Sequence, residues 1–161
     1  MGTLGFSYIG LLYLLMLFIP NILWAKNKPQ GYTLIAPQEN RFLLISERIG
    51  QVLVTVSVLI FTNYNPTVFS AWSSWLIVSV VLMVLYEIAW IRYFSKPTLE
   101  NFYRPFLLVP VPLASLPVLA FLLLGVYGKV ICLIISALIL AIGHIGIHVQ
   151  HYKILSREET G

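Results

Sequence analysis

Glu47 and Gln51, Glu87, and His144 and His148 fall on three different apolar segments of this chain, and they are the residues whose types could do chemistry there. Glu47, Gln51 and Thr55 follow one another at i, i+4 and i+8, and His144, His148 and His151 at i, i+4 and i+7. Each set therefore forms a polar stripe on one helix face. Ionisable side chains inside a membrane helix are costly, which makes them functional candidates by default. Two imidazoles one turn apart, His144 and His148, can share a divalent metal, with Glu47 or Glu87 as further ligands. An imidazole beside a buried carboxylate can instead pass protons near neutral pH. The plainer role is a hydrogen bond, such as one between His144 and Glu87, that ties two helices together. His151 lies about 10 Å along the axis from His144, too far to share its ion, and reads as an interfacial residue. Because every histidine is on one helix, a haem held by two of them would need a second chain. Arg48 points to a different face from Glu47 and is near enough to the helix end to extend its guanidinium to lipid phosphates.

Five apolar runs of spanning length must position these groups, at about 5–24, 42–61, 71–91, 106–127 and 130–149. Hydrophobic residues make up 59% of the chain and charged ones 10%, against roughly a quarter charged in soluble domains. The expectation is an all-α membrane protein, a five-transmembrane-helix bundle forming one integral membrane domain over 1–161. The first run has no basic segment before it and is followed by Lys26 and Lys28 rather than a cleavage site, so it reads as a retained span. Turn clusters with proline or glycine separate the runs. Gly143 and Gly146 stand away from the histidine face, where small residues let another helix approach closely.

The fourth run contains Pro110, Pro112 and Pro117. Each proline removes a backbone donor and crowds the carbonyl one turn earlier, so a kinked or partly unwound cytoplasmic half is expected. Freed carbonyls in lipid need protein or a water-lined cavity beside them. The segment 110–117 is accordingly a candidate pocket wall, and equally a structural kink satisfied by its neighbours.

Basic residues give the orientation. The first and third loops and the C-terminal tail carry all of Lys26, Lys28, Arg41, Arg92, Lys96, Arg104, Lys153 and Arg157, whereas the opposite side has Lys129. The positive-inside rule puts the N-terminus outside and the C-terminus in the cytoplasm of a plasma membrane. The net charge of +4 is explained this way and implies no nucleic-acid partner. The partners expected are the lipid bilayer and, for so small a chain, further copies of itself.

Several chemistries are excluded. Cys132 is the single cysteine, so no intrachain disulfide or CxxC site can form, and it reads as a buried small apolar residue. GxSxG, HExxH and Gly-rich phosphate loops are missing, and the chain has no aspartate. Glu and His could still act as acid and base on a lipid head group, with Arg92 or Arg104 taking a phosphate.

The stretches LLMLFIPN, AKNKPQGY, ERIGQVLV and GHIGIH together resemble a family of small multipass bacterial membrane proteins of the Firmicutes type. The resemblance covers most of the chain and implies no activity. The residues themselves point first to a Glu/His pocket in the cytoplasmic half, formed by Glu47, Gln51, Glu87, His144 and His148, that handles a small solute, an ion or protons. The alternatives are a membrane-embedded enzyme acting on a lipid or polyprenyl head group, and a non-catalytic assembly partner. A transport path also needs polar groups toward the outer face, where the sequence offers Thr55, Ser57 and Ser79.

Overall fold

The computed structural model describes residues 2–35 and 39–158, and these are helical apart from turns and two isolated β-bridges. In chain order the α-helices are α1 (Tyr8–Lys26), α2 (Tyr32–Ile35), α3 (Arg41–Leu59), α4 (Ser74–Ser95), α5 (Leu99–Tyr103), α6 (Pro112–Gly128), α7 (Ile131–Leu140) and α8 (Gly146–Glu158). A π-helical turn, Ala141–Ile145, joins α7 to α8 in one continuous rod. Four helices are long and apolar enough to cross a membrane: Tyr8–Lys26, Arg41–Leu59, Ala71–Ser95 and Ile131–Arg157. The remaining apolar helix, α6, has 17 residues.

Side-chain caps set the ends of these helices. Ser7 accepts from the Gly10 amide at 2.8 Å and opens α1; Asn40 accepts from the Phe42 amide at 2.8 Å and opens α3. Successive long helices run antiparallel. The end formed by Trp24, α2, Trp90, α5 and α8 is held by ring contacts such as Trp24–Phe102 and Tyr32–His151. The opposite end is closed by the Leu4–Phe61 bridge and by Trp72 Nε1 donating to the Tyr127 carbonyl. Lys129 is at this second end, and the other nine Lys and Arg residues are at or near the first.

The fourth run departs from expectation at its start. Its helix begins at Pro112 rather than near residue 106, because Val109 and Val111 each precede a proline, and that position is disfavoured in helical backbone. Phe106 and Val109 instead exchange both backbone hydrogen bonds across a tight turn, with Leu107, Leu108 and Val111 at positive φ. Pro112 occupies the first turn, where no amide donor is needed, and Pro117 alone lies inside the helix. Ser115 Oγ donates to the freed Pro110 carbonyl at 2.9 Å. Residues 106–111 thus stand unwound ahead of the helix. Ala114 and Ser115 are buried against protein, while Leu113 and Pro117 face cavities.

Two glycines fix how α3 lies on the last rod. A β-carbon at Gly50 would come within 2.6 Å of the Leu140 amide nitrogen, and one at Gly143 would overlap the Glu47 backbone. Helices in lipid associate through van der Waals packing and small residues rather than hydrophobic expulsion of water. Cys132, expected inside, is on the outward face of α7.

Candidate functional site

The close approach at Gly143 puts the next residue, His144, beside Glu47. His144 Nδ1 and Glu47 Oε1 are 2.6 Å apart, with side chains 21% and 15% exposed. The π-helical turn carries both Gly143 and His144; its extra residue rotates the end of the rod relative to α7. One turn on, the His148 ring lies 4.7 Å from that of His144, centroid to centroid, and stacks on Phe102 at 5.4 Å. His148 Nδ1 is buried and makes no hydrogen bond.

His151 is not the interfacial residue expected from its distance along the helix. It is 1% exposed. The Tyr103 hydroxyl and His151 Nδ1 are 2.7 Å apart in a hydrogen bond, and His151 Nε2 lies 3.2 Å from Glu39 Oε1. Burial first, then the nearby Tyr32 and Glu39, holds the Tyr103 hydroxyl above its ordinary pKa, so it stays protonated. α5 supplies Tyr103, and it is anchored by Arg92, whose guanidinium donates to the Arg104 carbonyl at 2.8 Å and to that of Pro105 at 3.1 Å. Those bonds engage Arg92 with backbone.

These groups surround a chamber of about 270 Å³ at the basic end of the bundle. Glu47, Gln51, His144 and His148 line it, together with His151 and Glu39. Glu87 does not: the inward face of α4 is the Tyr86, Trp90, Tyr93 row, and Glu87 is turned off it with Oε1 buried and unpartnered. Arg48 and Lys28 stand exposed at the chamber's edge. Among the described residues no three His, Cys, Asp or Glu side chains converge as metal ligands.

An aromatic corner was not legible as part of the site. Trp24 packs edge-on to Tyr32 at 4.9 Å and stacks on Phe102 at 5.3 Å, and Phe102 meets Trp90 at 5.9 Å. Trp24 and Trp90 read in the sequence as boundary aromatics, and Phe102 lies in what reads as a loop. The Tyr32 hydroxyl is pushed up to about 12 by burial and then by the carboxylates of Glu39 and Glu47. The Glu39 carboxyl is likewise raised, by burial first and Glu47 second.

A second, apolar cleft of about 420 Å³ adjoins the chamber between α1, α3, α6 and α7. Phe18, Val52 and Val56 stand exposed on its rim. Asn21, Gln51 and His144 belong to the walls of both spaces. The outer-half hydroxyls are spent elsewhere: Ser79 is fully buried and donates to the Ala120 carbonyl at 2.7 Å, Ser57 faces Ser136 at 3.4 Å, and Thr55 donates to the Gln51 carbonyl. No family model, curated protein or solved structure matches the chain.

Proposed function

We propose that this protein is a five-span membrane protein that binds an amphiphile, taking its apolar tail into the lateral cleft and its head group into the chamber beside Glu47 and His144. The single observation that carries the reading is the common wall of Asn21, Gln51 and His144, which joins an apolar space to a polar one. A ligand with one greasy and one polar end matches both. The 17 residues of α6 extend about 25 Å, at the short end of what crosses a bilayer, and the turn at 106–111 adds to that length. The basic residues gathered at one end support a cell-membrane topology with that end and the C-terminus in the cytoplasm. Glu47 and His144 are then an acid–base pair at the depth of lipid head groups, able to act on the one they hold.

Filling the cleft tests this. Val52→Trp and Thr55→Trp should each lower the amount of lipid or other amphiphile retained through purification, measured by organic extraction and mass spectrometry. Equal retention by both variants and wild type would overturn the reading.

Proton handling is a second reading, favoured by the run of titratable groups from Glu47 and His144 through His148 to Tyr103, His151 and Glu39. It predicts proton uptake by protein in liposomes that His148→Phe abolishes.

A further inference from the structure

The chamber's walls go further than its shape, and the geometry points to an ammonium group, a primary amine or a trimethylammonium, as the head group it takes. This rests on the amphiphile reading above and adds the charge of the ligand. Trp24, Tyr32 and Phe102 meet at right angles or stacked, presenting π faces and edges around one corner. The electron-rich face of such a ring attracts a cation.

The protein's own Lys28 already makes that contact. Its Nζ lies 5.4 Å from the centre of the Trp24 ring and 5.2 Å from that of Tyr32. Lys28 is an exposed side chain on a flexible stem, so its ammonium is a tethered occupant that a ligand of the same chemistry can displace. The remaining wall suits a cation as well. Glu39 and Glu47, each 15% exposed at the side chain, bring carboxylates, and the buried Nδ1 of His148 has no partner of its own. The other positive charge of the lining, Arg48, is exposed at the rim, where its guanidinium can reach lipid phosphates.

A phosphate-binding chamber would use Lys28 as a ligand, whereas an ammonium-binding chamber has it as a competitor. The two cases therefore predict opposite effects of removing it. The test uses the full chain in nanodiscs of phosphatidylglycerol, which has no ammonium, with tryptophan fluorescence as the readout. The titrants are dodecyltrimethylammonium, dodecyl phosphate, dodecanol and tetramethylammonium.

Dodecyltrimethylammonium should bind tightest. Lys28→Ala should tighten it about threefold, the size of one exposed cation–π contact. Glu47→Gln should weaken it about tenfold, as loss of a charged partner does, with Phe102→Leu as a second variant that leaves every charge in place. Dodecyl phosphate or dodecanol binding as tightly, or Lys28→Ala weakening the ammonium, would overturn the ammonium inference and leave the amphiphile reading standing. Tetramethylammonium binding as tightly as its dodecyl form would keep the ammonium and overturn the amphiphile. No saturable response to any titrant would overturn both.

Discussion

Gly143 lies so close to Glu47 that a β-carbon added to it would stand 2.6 Å from the Glu47 Cα. That contact is what brings His144 within 2.6 Å of the Glu47 carboxylate. Gly143→Ala should therefore push the π-helical turn away from α3 and part the pair. We expect a loss of about 1–3 kcal/mol, the usual range for overpacking, measured by reversible denaturation in mixed micelles. The infrared band of the Glu47 carboxylate, identified as the one missing in Glu47→Gln, should shift with it. An unshifted band with native stability would show that the helices accommodate the methyl group.

His151→Ala should be among the most damaging single changes at the basic end. It removes a buried ring, leaves the Tyr103 hydroxyl without its hydrogen-bond partner and takes the Nε2 contact from Glu39. A loss of about 2–3 kcal/mol is expected from an unsatisfied buried hydroxyl plus a cavity. Tyr152→Ala, at the exposed neighbouring position, should stay within about 0.5 kcal/mol. Equal effects of the two in a denaturation series would contradict the burial of His151.

Thiol accessibility separates the residues that face the cavities from those that only pack. With Cys132 replaced by Ala, since it is itself exposed, a cysteine at Gln51, exposed on the wall shared by both cavities, should react with a water-soluble maleimide. A cysteine at Ala114 or Ser115 should not, because these side chains are buried against protein. Labelling followed by mass spectrometry gives the answer, and rapid modification at Ala114 would mean that the start of α6 opens.

Glu39 should leave a signature in the pH dependence of stability. Its carboxyl is raised from the ordinary 4.5, by burial first and by Glu47 second, so the folded state holds the proton more firmly than the unfolded chain. The stabilisation from that protonated form is full below the ordinary value and is lost as pH rises through the raised one. The stability of wild type relative to Glu39→Gln should accordingly fall as pH increases above about 4.5 and then level off, as followed by denaturation at stepped pH. A constant difference across that window would remove Glu39 from the titrating set.

Much of the architecture was legible because its causes are local. Apolar runs and turn residues locate the long helices, although α6 starts at Pro112 rather than near 106 and the last rod runs past 149 to Glu158, and the placement of Lys and Arg distinguishes the two ends of the bundle. The i, i+4 spacing of Glu47 with Gln51 and of His144 with His148 was enough to put each pair on one face. Gly143, standing off the histidine face, marked the side on which another helix could come close. These features depend on the geometry of one helix and on the cost of polar groups in lipid, both of which a sequence carries in full.

Only the tertiary structure decided which faces meet. Glu87 has the same chemical promise as Glu47, but the rotation of α4 turns Tyr86 and Trp90 inward and leaves Glu87 off the chamber. His151 is remote from His144 along the helix axis, whereas Tyr103 of α5 and Glu39 come against it from elsewhere in the chain. The corner of Trp24, Tyr32 and Phe102 joins residues from three separate segments, and the start of α6 is set by two prolines acting on the residues before them. Helix rotation is fixed by the sum of many small packing contacts between distant segments, and no periodicity within one segment encodes it.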